Sequence, residues 1–285
     1  MQITTIETGF FKLDGGAMFG VVPRQLWERK NPPDENNMCT WSMRCLLIRI
    51  EERIILVDTG IGDKQDEKFR KHFEPHGTDT LIGSLANLDL EPEDITDVLL
   101  THLHFDHVGG AVRRDESGDL VPTFPNATYW TNQRHWEWAL NPNPREAASF
   151  LKENLLPLQE HKVLEFIDVS EKDVNWLPGI DLRFLYGHTE AMMMPIITNG
   201  EKRMIYCADL LPSSYHLGLP WVMSYDVRPL HTMSEKKRLL NEAFDHGDLL
   251  VFEHDPHVQS GVLGKNEKGR VGLESEVDLR DFFNY

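Results

Sequence analysis

Short apolar runs recur along the chain, and each ends in a polar residue that can bind a metal or a substrate. The runs cover residues 54–57 before Asp58, 97–101 before His102, 182–186 before Gly187 and His188, 204–208 before Asp209, and 249–253 before His254. Continuous apolar runs of this length are typical of strands that are buried on both faces. Because reactive residues follow these strands, the pattern predicts an α/β sheet whose functional site lies at the carboxyl edge.

The stretches between these strands predict helices at residues 79–88, 134–140, 144–158 and 234–245. Thr78 or Asp79 is expected to cap the first helix and Ser234 the last, because their side-chain oxygens can accept backbone N–H groups. A loop is predicted at residues 30–37, which are rich in turn-forming Pro, Asn and Asp. No Gly- and Ser-rich linker divides the sequence, so we expect one domain over residues 1–285, built from two sheet-bearing halves.

Composition and charge narrow the classes of function. Of the 285 residues, 40% are hydrophobic and 26% charged, as in an ordinary globular protein. The net charge of -17 argues against nucleic acid or an anionic membrane as a partner, since both need basic surfaces. The first residues lack the basic and apolar regions of a signal peptide, and no apolar run approaches the roughly 20 residues of a membrane span. Three cysteines without a CxxC pair indicate reduced thiols and a cytoplasmic location.

The densest chemistry lies in residues 101–110, Thr-His-Leu-His-Phe-Asp-His-Val-Gly-Gly. In an extended stretch His102, His104 and Asp106 share one face, because side chains alternate from one side to the other. His107 then faces elsewhere unless the backbone turns, which the following glycines make easy. Neutral imidazoles suit zinc and similar ions, and a carboxylate adds a harder ligand. Ligands that point in two directions predict two adjacent metal ions.

Four further motifs join this cluster and produce a family resemblance. With residues 57–60 (Val-Asp-Thr-Gly), residues 187–189 (Gly-His-Thr), Asp209 and His254, the chain resembles the metallo-β-lactamase fold superfamily of hydrolases. The resemblance implies an αββα sandwich, in which two mixed sheets are flanked by helices. It also implies a cofactor of two divalent metal ions, with Zn²⁺ favoured.

The resemblance assigns a role to each motif residue. The first ion would be bound by His102, His104 and His188, and the second by Asp106, His107 and His254. Asp209 would bridge both ions together with a water or hydroxide, and Asp58 would orient a ligand histidine. Asp106 is also a candidate for holding the nucleophilic water or moving its proton. Two such ions lower the pKa of a shared water towards neutrality and polarise the bond under attack.

One motif departs from the family pattern. After residues 187–189 the family usually continues Pro-Gly-His or Pro-Gly-Gln, whereas this chain has Glu190, Ala191 and Met192. The ligand histidine is kept, so metal binding is still expected. Methionine side chains fill gaps in apolar cores, and core packing is therefore expected for residues 192–194.

Within the superfamily the chain is similar to the quorum-quenching N-acyl homoserine lactonase-like branch, which also includes organophosphate hydrolases. Residues 13–23, 208–214 and 216–226 carry this likeness. It implies hydrolysis of an ester-like bond in a small molecule, with an N-acyl homoserine lactone as the leading substrate. Candidate substrate contacts are Phe19 and Trp27 in an N-terminal hairpin, and Tyr215 and His216 after Asp209; packing roles are the alternative.

Other functions stay open at this stage. An aryl-ester or organophosphate hydrolase would use the same metal pair, because the same chemistry serves phosphoryl transfer. A non-catalytic, metal-binding regulatory protein is the alternative from another class. A homodimer is also an open alternative. Outside the motif residues, His135 is expected to lie on the surface of a helix.

Overall fold

The computed structural model describes residues 1–267 and 269–283, and the chain divides into two compact units. The first unit comprises residues 1–10 and 43–169. The second comprises residues 11–42 and the described residues from 170 onward. Each unit contains a mixed β-sheet accompanied by helices, which confirms the predicted mixed α/β class with two mixed sheets. The single domain over residues 1–285 stays a prediction.

The first sheet holds two of the predicted strands side by side. The strands in this part of the chain are β1 (Gln2–Asp14), β2 (Met38–Ile50), β3 (Arg53–Val57), β4 (Asp97–Leu99), β5 (Val112–Arg114), β6 (Leu120–Pro122), β7 (Thr128–Thr131) and β8 (Leu164–Phe166). The sheet order is β1-β2-β3-β4-β7-β8, while β5 and β6 form a separate ribbon. Strands β3, β4, β7 and β8 run parallel, so their carboxyl ends lie at one edge. Asp58 and the histidine cluster follow two of these ends.

The second sheet holds the other three predicted strands. Its strands are β9 (Val174–Leu177), β10 (Ile180–Leu185), β11 (Met192–Asn199), β12 (Lys202–Tyr206), β13 (Leu249–Val251), β14 (Ser260–Lys265) and β15 (Val271–Glu276). Their order is β15-β14-β13-β12-β11-β10-β9. Within the described residues of this second sheet, the β12–β13 pair is parallel and the other pairs are antiparallel. Residues 192–194 in β11 are fully buried, which confirms the expected core packing of the methionines.

Helices connect the strands of both units. They are α1 (Gly15–Phe19), α2 (Arg24–Trp27), α3 (Glu67–Phe73), α4 (Leu81–Ala86), α5 (Phe105–Val108), α6 (Gln133–Leu140), α7 (Lys152–Glu160), α8 (Pro229–His246) and α9 (Leu279–Phe283). Among the described residues, no helix has both the length and the apolar character that a membrane crossing requires. In the first unit the core combines aliphatic and aromatic residues, among them Tyr129, whose hydroxyl donates a hydrogen bond to the carbonyl of Ala111 at 3.2 Å.

Several predicted boundaries were wrong, for local reasons. Ser234 does not cap the last long helix, because α8 begins at Pro229, a residue that suits a first turn where its missing N–H is not needed. Thr80, rather than Thr78 or Asp79, caps α4 by accepting the N–H of Gly83. The helix predicted at residues 144–158 begins only at Lys152. The expected N-terminal hairpin instead places Phe19 and Trp27 in the short helices α1 and α2.

Candidate metal-binding site

In the first unit, Asp58 lies directly after β3 and fixes the start of the histidine cluster. Its backbone is in the left-handed region at φ 58°, which is uncommon for a residue other than glycine. In this position its carboxylate accepts hydrogen bonds from the backbone N–H of Thr101 at 2.8 Å and from the Thr101 hydroxyl at 2.6 Å. Because β3 and β4 are parallel neighbours, this contact ties together the two strand ends that precede the cluster.

The same carboxylate sets the direction of one imidazole. His107, in α5, has its Nδ1 3.1 Å from Asp58 Oδ2, and both residues are fully buried. The ring must donate this hydrogen bond, because an ionised carboxylate only accepts. The lone pair of His107 therefore lies on Nε2, where it can bind a metal ion. Asp106 Oδ2 is 3.9 Å from that nitrogen.

The other two imidazoles of the cluster converge. His102 Nε2 and His104 Nδ1 are 3.1 Å apart. Two nitrogen ligands on one tetrahedral zinc, each at ~2.0–2.1 Å, would be separated by ~3.3 Å. The pair is therefore spaced as two ligands of a single ion would be. On its other side the His104 ring lies 3.4 Å from Glu146, measured from Nε2 to Oε1.

In the second unit, Asp209 faces two different imidazoles with its two carboxylate oxygens. Oδ2 is 3.1 Å from His188 Nε2, and Oδ1 is 3.1 Å from His254 Nε2. Asp209 sits in a 3-10 turn immediately after β12, where Ala208 adopts a positive φ of 42°. A carboxylate that directs one oxygen to each of two separate ligand histidines is arranged as a bridging ligand would be.

Each of these histidines is held from behind by its other ring nitrogen. His188 Nδ1 lies 2.9 Å from Asp226 Oδ1, and His254 Nδ1 lies 2.7 Å from the carbonyl oxygen of Ser42. Both partners are acceptors, so both rings donate from Nδ1 and direct Nε2 towards Asp209. A hydrogen bond of this kind fixes the tautomer and the orientation of a metal-binding histidine.

The charge around His188 suits a cation. Burial alone would lower the pKa of the His188 imidazole, but the carboxylate of Asp209, followed by that of Asp226, raises this pKa to about 10. The buried carboxylates thus favour a positive charge at this position. A divalent ion supplies such a charge, so the donor set fits the metal that the sequence predicts. The metal-capable side chains are His102, His104, Asp106, His107 and Asp58 in the first unit, and His188, Asp209, His254 and Glu253 in the second.

Several residues around these histidines escaped the sequence analysis. His135, expected at the surface, is fully buried, and its Nε2 accepts the backbone N–H of Leu103 at 2.9 Å. It thereby supports the backbone between His102 and His104. Asp226 and Ser42 carry no local signal in the sequence, because each is far along the chain from the histidine it contacts.

The predicted substrate contacts lie in or beside a buried aromatic cluster. Phe19 stacks between Trp27 and His216, with ring centroids 5.2 and 5.1 Å away. His216 Nε2 donates to the carbonyl of Met18 at 2.9 Å, and burial lowers the pKa of this imidazole to about 3, so the ring is neutral. Phe19, Trp27 and His216 are at most 2% exposed. Tyr215 alone among the four predicted contacts is partly exposed.

The loop that carries Tyr215 and His216 is anchored at two points. The buried ammonium of Lys236 in α8 donates hydrogen bonds of 2.8–2.9 Å to the carbonyl oxygens of His216, Gly218 and Trp221. Burial lowers the pKa of Lys236 to about 7. At its other end the loop is bound through Ser214, whose N–H and hydroxyl both donate to Asp255, at 2.9 and 2.6 Å.

Ala191 supports a prediction about stability. It adopts φ 52° at the position where the resembling family has glycine, and a left-handed conformation costs an L-residue ~1–2 kcal/mol. Ala191→Gly is therefore expected to raise the free energy of unfolding by about 1 kcal/mol. This value allows for the conformational entropy that glycine adds to the unfolded chain, which offsets part of the relieved strain. Urea unfolding of both proteins measures this difference. Ala243→Gly, in the interior of α8, is the control and is expected to destabilise by at least ~1 kcal/mol. A destabilised Ala191→Gly variant would contradict the prediction.

Comparison with known proteins identifies the family of this chain. The model of the metallo-beta-lactamase superfamily matches residues 44–254. The N-acyl homoserine lactonase AiiA of Bacillus thuringiensis subsp. kurstaki is 26% identical over 232 residues, which cover 77% of this chain and 82% of that protein.

Solved structures extend the match to nearly the whole chain. A probable metal-dependent hydrolase from Staphylococcus aureus is 28% identical with a TM-score of 0.86, covering 97% of this chain and 96% of that one. The dizinc quorum-quenching lactonase AidC, solved in complex with a product, has a TM-score of 0.78 at 20% identity, covering 97% and 95%. At that identity the likeness to AidC shows the fold alone.

Proposed function

The chain belongs to the metallo-beta-lactamase superfamily of hydrolases, and on that premise we propose that it is a dinuclear metal hydrolase that opens lactones. An N-acyl homoserine lactone is the leading substrate, as it is for the relative AiiA. The observation that carries the proposal is Asp209, whose two oxygens each lie 3.1 Å from a different histidine nitrogen. Such a carboxylate is suited to bridging two ions.

The proposed ligand set is the one that the family resemblance implies. One ion would be held by His102, His104 and His188 and the other by Asp106, His107 and His254, with Asp209 as the ligand shared by both. The 3.1 Å spacing of the His102 and His104 nitrogens supports the first group. The hydrogen bonds that leave Nε2 available on His107 and His254 support the second. Zinc is proposed because imidazole nitrogens dominate both groups.

Three carboxylate side chains have separate roles in the proposed hydrolysis. When bound, the two ions supply an acidified water and polarise the carbonyl of the lactone. Asp106 accepts a proton at a carboxylate oxygen as that water attacks, and later returns it to the ring oxygen that leaves. Asp58 keeps His107 in the tautomer with its lone pair on Nε2, since Nδ1 is 3.1 Å away and donates to it. Asp209 holds its orientation through the turn at Ala208.

Tyr215 is the proposed polar contact for the substrate. It follows Asp209 closely, is partly exposed, and belongs to a loop that Lys236 and Asp255 hold in place. His216, the next residue of this loop, stacks on Phe19, and this contact gives the loop a rigid aromatic backing. A fixed apolar wall with one hydroxyl suits an acyl chain joined to a polar head.

The cysteines support a location in a reducing compartment. Cys39, Cys45 and Cys207 are all buried and none of them forms a disulfide among the described residues. Free thiols persist in the cytoplasm, where disulfides are rare. We therefore propose that the protein acts in the cytoplasm.

A substrate panel with defined metal content tests the proposed function. Protein carrying two equivalents of zinc is expected to open N-acyl homoserine lactones, measured as acid release in a pH-stat. Removal of the metal by a chelator is expected to abolish this activity, and zinc to restore it. Hydrolysis of aryl esters or phosphotriesters without any lactone would replace the substrate assignment. Full metal content with no turnover of any of these substrates would favour a binding role.

A further inference from the structure

The short turn that carries His188 is bound on both sides by side chains of the second unit. The backbone N–H groups of Tyr186 and Gly187 donate to the two oxygens of Glu235, at 2.7 and 3.0 Å. Glu235 lies in α8, and burial raises the pKa of its carboxyl group. Through Glu235, α8 therefore holds the two residues that precede His188 in place.

Residues 226–228 hold the same turn from its other side. Arg228 N donates to the carbonyl of Gly187 at 2.9 Å, and Val227 N donates to the carbonyl of His188 at 3.1 Å. Asp226 accepts from the His188 ring at 2.9 Å. The Arg228 guanidinium adds a hydrogen bond of 2.7 Å to the carbonyl of Tyr186. Backbone and ring of His188 are thus bound by one continuous segment.

The guanidinium of Arg228 also reaches past His188 to Glu190. Its Nη2 lies 2.6 Å from Glu190 Oε2, and the Glu190 side chain is only 6% exposed. Arg228 therefore joins the residue two before His188 to the residue two after it. The Arg228 side chain is itself 39% exposed, so the buried member of the pair is Glu190. Loss of Arg228 would remove a 2.6 Å charged hydrogen bond from this largely buried carboxylate.

Close packing limits how the turn can be built. A Cβ added at Gly187 would lie 2.4 Å from the backbone N of Thr232, in the first turns of α8. Only glycine, which has no Cβ, allows the turn to lie this close to the backbone of α8. The turn thus lacks a side chain at residue 187 and depends on its hydrogen bonds for its position.

We propose that Arg228 and Glu190 are a positioning pair that directs His188 Nε2 towards the metal. The inference rests on the proposed ligand role of His188. In the family that this chain resembles, Pro-Gly usually follows the Gly-His-Thr motif, and the fixed φ of proline stiffens the backbone there. This chain has Glu190 and Ala191 there. The ion pair with Arg228 supplies by charge and hydrogen bonding the rigidity that proline would supply covalently.

Zinc affinity tests the pair without any substrate. Arg228→Met and Glu190→Gln are each expected to weaken zinc binding by about 10- to 100-fold, the range seen when residues behind a metal ligand are changed. The affinity is measured by competition with a chromophoric chelator. The visible absorption spectrum of the Co²⁺-substituted protein is expected to change as well, since it reports ligand geometry. Arg228→Lys keeps the positive charge but lacks the planar guanidinium, which here binds two partners at once. This variant is expected to retain more zinc affinity than Arg228→Met.

A second ion pair of the same unit is the matched control. Arg203 donates hydrogen bonds to Asp248 at 2.6 Å and to Glu242 at 3.0 Å, and neither partner belongs to residues 186–190. Arg203→Met is expected to lower the melting temperature while leaving zinc affinity and the Co²⁺ spectrum unchanged. If Arg228→Met and Glu190→Gln behave like Arg203→Met, the pair is merely structural and the inference is overturned.

The outcome is separable from that of the proposed function. Weakened zinc binding in a protein that opens no lactone would uphold the positioning pair and reject the substrate. If the wild-type protein bound no zinc, the proposed function would fail. The NMR signals of the His188 ring in metal-free protein then decide the inference. A shift of these signals in Arg228→Met, but not in Arg203→Met, upholds it, and unchanged signals overturn it.

Discussion

Replacement of Asp209 by alanine is expected to lower kcat/KM for a lactone by at least ~10³-fold. That factor corresponds to about 4 kcal/mol of transition-state stabilisation, the order of magnitude that a metal ion supplies. The reason is the position of Asp209, which lies 3.1 Å from both His188 and His254 and can contact both ions. Its loss is expected to reduce bound zinc from two equivalents to one or fewer, as measured by metal analysis together with the pH-stat assay.

Asp248→Asn is the control for this result. Asp248 is also a fully buried carboxylate of the second unit, but it binds Arg203. Its substitution is expected to reduce stability while zinc content and kcat/KM stay within a few-fold of wild type. An Asp209→Ala protein that kept two zinc equivalents and near-normal kcat/KM would show that this carboxylate is not a bridging ligand.

Asp58→Ala is expected to affect both the fold and the metal. Asp58 accepts hydrogen bonds from the N–H and hydroxyl of Thr101 and from His107 Nδ1. Each buried group left without a partner costs ~1–3 kcal/mol, so we expect the free energy of unfolding of the metal-free protein to fall by about 3 kcal/mol or more. Zinc affinity is expected to fall ~10- to 100-fold, because His107 loses the hydrogen bond that fixes its tautomer.

Asp97 provides a matched comparison in the same unit. Its carboxylate also accepts three hydrogen bonds, from Arg53 at 2.7 Å, Trp130 at 2.8 Å and Thr96 at 2.7 Å. Asp97→Ala is expected to destabilise the protein in urea to a similar extent while leaving zinc affinity unchanged. Equal losses of zinc affinity in both variants would mean that Asp58 acts only through stability.

The sequence predicted the strands before the candidate ligands because their signal is local. A continuous apolar run that ends in Asp58, Asp209 or His254 combines burial and a change of polarity within a few residues. The cluster at residues 101–107 is equally local. Both sheets of the structure contain such strands at the predicted places.

What escaped prediction depends on contacts between distant parts of the chain. Asp226 lies 38 residues from His188, and Ser42 lies 212 residues from His254. No periodicity in the sequence links such pairs. His135 has the neighbours of an amphipathic surface helix, yet the backbone of Leu103 needs its Nε2 as an acceptor, and it is buried. Tertiary hydrogen bonding overrides the local pattern in each case.

The boundaries of α8 failed for a different reason. Ser234 is a good cap by composition, but the helix begins at Pro229, five residues earlier. The backbone N–H groups of His231 and Thr232 already donate to the carbonyl of Arg228, at 2.8 and 3.0 Å, so the helix is formed before Ser234. A local capping preference is worth ~1 kcal/mol, which the hydrogen bonds of this additional first turn outweigh.

The loop between Asp209 and Asp226 has a consequence for how specificity can be altered. It begins with a proposed ligand, ends with the residue that orients His188, and is bound midway to Asp255, the neighbour of His254. Tyr215 and His216 lie inside it. Laboratory evolution towards new substrates through this loop should therefore trade against metal retention. Libraries screened in excess zinc should recover more active variants here than libraries screened in trace zinc.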